Sequence, residues 1–177
     1  MGGVIVDVVS SLSPPTFSDD YDILITRDLS VIEPADSWEI YNEELVCMGP
    51  PNLVAGKKPS IVRSTPILNI TSRPDILPTW LRAMNLSLND IRAGARYDHN
   101  YLALPAVMTG KCLLVAPEII VSDLMRGALC RSFPAHALQV ACNIAYVVDR
   151  SEHPEIARSF CRWVARLCKK ATLAQAT

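Results

Sequence analysis

Three short polar clusters stand where apolar runs stop. They are Thr26-Arg27-Asp28 after YDILIT, Thr71-Ser72-Arg73 after PILNI, and Asp98-His99-Asn100 after a short strand ending at Tyr97. Thr71, Ser72 and Asn100 can hydrogen-bond a polar ligand, and Arg27 can clamp a carboxylate with two parallel bonds. Ligand binding is the chemistry this set suits. The histidines, at 99, 136 and 153, lie far apart and select no nucleophile–base pair by spacing. A Cys–His pair would have to be assembled by the fold from distant positions. The cysteines, however, sit mostly in apolar strands, where thiols are inert.

The elements that hold these clusters follow from pattern. From Arg92 to Arg131 the chain alternates strand, helix, strand, helix, strand, the order that builds a parallel sheet covered by helices. The helix after Asp98 runs over 99–108 with Gly110 as its stop, and Cys112–Ala116 is an apolar strand. Pro117 and Glu118 open a second helix that Gly127 ends. Ahead of this unit, Val4–Val9 is β-branched and reads as a strand. Tyr21–Thr26 reads as a strand buried on both faces. Trp38–Tyr41 and Glu44–Met48 read as two short strand pieces, and Pro66–Ile70 as another strand. Asp75 is placed to cap a helix whose Leu77, Trp80, Leu81 and Met84 form a core-packing stripe. Val140–Val148 is a long apolar strand. Pro154 opens a last helix with Ile156, Phe160, Trp163, Val164 and Leu167 on one face, and 171–177 reads as a frayed tail.

In an open α/β sheet, ligands sit outside the carboxyl ends of strands, which is where the polar clusters stand. Two long strands, Glu44–Met48 and Val140–Val148, bracket the complete α/β unit. That is the pattern of two lobes joined by crossover strands, with a cleft between them.

With 177 residues, half of them hydrophobic and 20% charged, the chain is globular and long enough for one domain or two small lobes. A net charge of −1 provides no electrostatic footprint for gripping nucleic acid. The 6 cysteines form no C-x-x-C pair and read as reduced core thiols of a cytoplasmic protein. No zinc pattern, cofactor motif or membrane-length apolar run is present, so no metal, no cofactor and no membrane are expected.

The order of motifs resembles the effector-binding domain of LysR-type transcriptional regulators, in the glycine-cleavage-activator and β-lactamase-activator branch. The carrying stretches are YDILIT (21–26), EELVCMGPPNL (43–53), STPILNITSRPDILPTWLRAMNL (64–86), 94–134, and IAYVVDRSEHPEIARSFCRWV (144–164). The resemblance implies a two-lobed, periplasmic-binding-protein-like (type II) α/β fold with two crossover strands and lobe one truncated at its N-terminus. The implied division is 1–45 for lobe one, 46–141 for lobe two, 142–170 for the returning strand and helix, and 171–177 for the tail.

The implied function is sensing a small-molecule effector in the cleft, without enzymatic activity, as a homo-oligomer. Promoter DNA would be read by an N-terminal winged helix-turn-helix that these residues lack; Met1–Gly3, entering directly into a strand, reads as a chain cut from something longer. The effector class expected is a carboxylate or an amino-acid-like compound. The alternative is a stand-alone solute-binding or protein-interaction module of the same fold without DNA binding.

Carried over motif by motif, the effector contacts fall on Thr26, Arg27, Thr71, Ser72, Asp98, Asn100, Tyr101, Ala116 and Tyr146. Each has a plainer reading. Asp98 can simply cap its helix. Thr71-Ser72 can turn the chain, Arg27 can be a solvated charge, and Tyr146 can be core. Two residues depart from the family pattern: Pro105 falls inside a helix, and Cys112 replaces a glycine and is expected to narrow the approach to the cleft.

Overall fold

A computed structural model describes residues 4–10, 21–26, 36–127, 131–132, 138–147 and 151–175. Its elements are β1 (Ile23–Thr26), β2 (Ser37–Gly49), α1 (Pro51–Val54), β3 (Pro66–Ile70), α2 (Ile76–Ala83), β4 (Arg92–Tyr97), α3 (Asn100–Met108), β5 (Leu113–Pro117), α4 (Glu118–Arg126), β6 (Arg131–Ser132), β7 (Leu138–Val147) and α5 (Pro154–Gln175). The strands follow the order β1-β7-β2-β5-β3-β4, with β6 pairing on β2.

β2 is the spine of this sheet. From Ser37 to Leu45 it runs antiparallel to β7; from Leu45 to Met48 it runs antiparallel to β5. Bulges interrupt its pairing between Glu39 and Tyr41 and between Glu43 and Glu44. Bulges bend a strand and sharpen its twist, which lets one strand serve both ends of the sheet.

At one end, β3 lies parallel to both β4 and β5. Helices cover both faces there, so alternate residues go to different cores. Leu45, Cys47, Ile67, Leu113 and Val115 pack with Ile76, Leu77, Trp80 and Leu81 of α2. Val46, Met48, Leu68, Ile70, Leu114 and Ala116 pack on the other side with α3 and α4. Burial on both faces is why these strands read as unbroken apolar runs. At the other end, Ile40, Ala145 and Val147 pack against Ala157, Cys161 and Ala165 of α5. The two halves thus carry separate cores and share β2, as expected for the two-lobed α/β class.

Several local expectations need correction. Residues 4–10 carry no regular secondary structure, and Val4–Val9 is not a strand among the described residues. Its β-branched side chains are exposed, and no strand among the described residues pairs with them. Trp38–Tyr41 and Glu44–Met48 are one continuous strand, since β7 and β5 supply successive partners. The helix of α5 continues through 171–175, where a frayed tail was expected. Its buried face is the small one, Ala157, Cys161 and Ala165; Ile156, Trp163 and Leu167 are exposed. Cys112 is buried with its Sγ 3.3 Å from the Ala106 carbonyl oxygen, so it packs against the end of α3. No helix among the described residues is long and apolar enough to cross a membrane.

Candidate effector site

The parallel pairing of β3 and β4 brings two polar clusters together. Ile70 and Tyr97 are register partners at the strand ends. Beyond them the ladder continues: Thr71 N–H donates to the Tyr97 carbonyl at 2.9 Å and Ser72 N–H to the Asp98 carbonyl at 3.1 Å. The Thr71 hydroxyl donates to Asp98 Oδ1 at 2.9 Å. Asp98 therefore braces the neighbouring turn and does not cap α3. His99 takes the cap position, without a side-chain capping bond.

Asn100 opens α3 and is only 7% exposed. Its Oδ1 is buried and has no hydrogen-bond partner. A buried acceptor left unpaired costs about 1–3 kcal/mol, so such atoms are uncommon and call for an explanation. The N-terminus of α3 lies at the same point, where backbone N–H groups outnumber their intrahelical partners, although Leu102 N–H already donates to the His99 carbonyl at 3.1 Å. Together, the turn at Thr71-Ser72, the Asp98 carboxylate and Asn100 form a small polar patch at the strand ends. Tyr101, next along α3, is exposed and stacks on His99 with ring centroids 5.3 Å apart.

The other expected residues lie elsewhere. Ala116 is fully buried opposite Val46, within the core under α3 and α4, so its side chain has no exposed surface. Thr26 closes β1 opposite Ile144, and Tyr146 lies between Leu24 on one side and Ser37 on the other. β7 is three strand spacings from β3, or about 14 Å. Arg27 lies outside the described residues. A cavity of about 220 Å³ between α2 and β4, lined by Ile67, Leu77, Leu88, Ile91, Gly94 and others, includes none of the expected residues.

The sequence reading missed two charged groupings beside the patch. Arg73 follows Ser72 and donates to both carboxylate oxygens of Glu43, at 2.7 and 3.1 Å. It also holds Asp75 at 3.0 and 3.1 Å. Asp75, at the start of α2, thus spends its carboxylate on Arg73 and makes no capping bond. Burial opposes the charge on Arg73, but the hydrogen bonds and charges of Glu43 and Asp75 hold it firmly protonated. The second grouping is Glu44 and Glu118. Leu45 pairs with Pro117, so the residues flanking that pair face each other and their carboxyl groups hydrogen-bond. Burial, then the charge of Glu44 and its hydrogen bond, push the Glu118 carboxyl above its ordinary range. One signal could have found both groupings. Two adjacent glutamates stand directly before the buried run Leu45–Met48, and buried charges require partners.

Burial raises the thiols of Cys47, Cys112, Cys161 and Cys168, with Cys161 pushed up to about 11. Among the described residues, no group of three His, Cys, Asp or Glu side chains could hold a metal ion.

The family described as LysR substrate binding domain matches residues 10–169. The chain belongs to that family. As a LysR substrate binding domain it has a curated relative in the HTH-type transcriptional regulator TrpI of Pseudomonas aeruginosa, 29% identical over 100 residues, which are 56% of this chain and 33% of that protein. The chain thus matches about a third of that relative's length. The fold is similar to the effector domain of the regulator AmpR from P. aeruginosa, with a TM-score of 0.66 at 15% identity over 88% of this chain and 75% of that one. It is also similar to the AmpR effector binding domain of Citrobacter freundii (0.62, 17%, covering 76% and 68%) and to the CrgA regulatory domain of Neisseria meningitidis (0.62, 12%, covering 83% and 75%). These relatives are transcriptional regulators, and this LysR domain shares the fold of the AmpR effector domains and the CrgA regulatory domain.

Proposed function

We propose that this domain senses a small molecule on behalf of a DNA-binding transcription regulator, and does no catalysis itself. The observation that carries the reading is the buried, unpaired Oδ1 of Asn100 beside Thr71, Ser72 and Asp98. An effector with an N–H or O–H donor would satisfy that oxygen. An acceptor on the same molecule would meet the first-turn N–H groups of α3. A ligand offering both is amino-acid-like, and Arg27 is the group to receive its carboxylate across the cleft. Thr26 and Tyr146 belong to the facing lobe in this reading, with lobe boundaries near 45 and 141. The assembly is a cytoplasmic homo-oligomer whose N-terminal helix-turn-helix meets promoter DNA.

The mechanism is differential binding. An effector that touches both lobes favours the arrangement in which both contacts are made, and only that difference in affinity shifts the regulator's state. The test is a thermal melt of the chain with a panel of amino acids, small carboxylates and cell-wall fragments. A saturating compound at about 100 times its Kd would stabilise the fold by about 2.7 kcal/mol. Thr71→Val and Asn100→Ala should reduce that shift while leaving the circular dichroism unchanged. If both variants respond like the parent, the effector is not held at this patch.

A further inference from the structure

The cavity of about 220 Å³ between α2 and β4 has an apolar body and one polar end. Ile67 and Ala93, register partners on β3 and β4, form its floor. Leu77 of α2, with Leu88 and Ile91 from the connection that follows α2, form its walls. Leu88 is 56% exposed, so apolar surface at the rim faces water. Asn69 and Arg96, also register partners, close the polar end.

A bulge puts Arg96 there. Ala93 and Arg96 are three residues apart, and in a regular strand an odd spacing sends side chains to opposite faces. The pairing of β3 with β4 slips by one residue between Ile67 and Asn69, which returns Arg96 to the face of Ala93. Among the described residues, no hydrogen bond or ion pair engages the side chain of Arg96 or of Asn69. The neighbouring carboxylates along the chain are already committed. Asp90 holds Arg63 at 3.1 Å, and Asp98 accepts from the Thr71 hydroxyl at 2.9 Å.

We propose that this cavity is a second ligand site, separate from the effector patch, and that it takes a medium-chain carboxylate. The alkyl chain lies along Ile67, Leu77 and Ile91 and covers Leu88. The carboxylate accepts two parallel bonds from Arg96 and one from the Asn69 amide. Burial of the chain supplies most of the affinity, and the guanidinium selects the head group. An amine of the same length meets a like charge at Arg96 and is rejected. Size is limited by volume. Drug-sized ligands fill about 300–1,000 Å³, so this cavity suits a molecule of about ten non-hydrogen atoms. The site shares no residue with Thr71, Ser72, Asp98 or Asn100, so it stands apart from the effector reading.

Methyl and amide NMR spectra of the 177-residue chain, titrated with octanoate, test it. Saturable shifts should gather at Leu77, Leu88, Ile91 and Ala93, with a Kd on the order of 1 mM. Arg96→Gln should weaken binding about tenfold, the loss of one charge-assisted pair. Octylamine should bind the parent more weakly than octanoate does. Ala93→Leu fills the floor and should abolish binding. Should that variant fail to fold, Arg96→Gln decides alone, because the Arg96 side chain is exposed. Asn100→Ala should bind octanoate as the parent does. A parent with no saturable shifts overturns the proposal. So does octanoate bound equally well by the parent and by Arg96→Gln, since the head group would then go unread. Shifts confined to Thr71, Asp98 and Asn100 would place the carboxylate in the effector patch and overturn it as well.

Discussion

Arg73 grips both oxygens of Glu43, at 2.7 and 3.1 Å, and so fastens the turn after β3 to the long strand β2. The Glu43 side chain is 6% exposed and that of Arg73 18%. Glu43 sits at the bulge of β2, and Arg73 sits one residue after the Thr71-Ser72 turn. The pair thus joins the proposed effector patch to the strand that runs through both halves of the sheet.

Removing one partner from such a pair should be costly. Arg73→Met leaves Glu43 in a buried place without its guanidinium, and should destabilise the fold by about 3 kcal/mol in urea denaturation. Glu43→Leu combined with Arg73→Met should recover most of that loss, because a matched apolar pair carries no desolvation penalty. A double mutant no more stable than Arg73→Met alone would show that the pair's geometry, and not its buried charge, is what matters.

Glu118 makes stability depend on pH in a defined direction. Burial, the Glu44 charge and the hydrogen bond to Glu44 raise its pKa in the folded state above the ordinary 4.5. The folded chain therefore holds more protons than the unfolded chain above that pH, and its contribution to stability falls as pH rises. Glu118→Gln removes this dependence and should melt about 2 °C above the parent at pH 7, with the gap closing toward pH 4. A gap that stays constant with pH would place the raised pKa elsewhere.

Gly94 lies on β4 where an added Cβ would stand 2.8 Å from the Ile67 carbonyl oxygen. That oxygen is backbone on the paired strand β3 and cannot swing aside. Gly94→Ala should cost about 1–3 kcal/mol, as overpacking does. Amide exchange should speed up along β3 and β4 and stay as in the parent along β7. Uniform protection in the variant would contradict this close approach.

Asn100 should separate stability from binding. Its unpaired Oδ1 is a burden in the unliganded fold, so Asn100→Leu should change stability by less than about 1 kcal/mol in either direction. The same variant should lose at least tenfold in affinity for any compound that raises the parent's melting temperature. Loss of several kcal/mol of stability would make Asn100 a structural residue first.

The α/β unit from β3 to α4 was legible because its signals are local. The unbroken apolar run Leu113–Ala116, the stripe Leu77, Trp80 and Leu81, and the stops at Gly110 and Gly127 each act over a few residues. The same local order sufficed to reveal the family that the match over 10–169 establishes. What the sequence left open depends on partners that are distant along the chain. α5 offers one stripe of large apolar residues and one of small ones. Hydropathy favours burying the large stripe, yet the small one lies against β2 and β7. Val4–Val9 has the composition of a strand, but a strand needs a neighbour, and none pairs with it among the described residues. The grip of Arg73 on Glu43 spans thirty positions, and no spacing rule announces it. Composition and periodicity decided which elements form and in what order. Tertiary packing decided which face each one buries and which charges meet, because those choices rest on contacts between residues the chain itself keeps far apart.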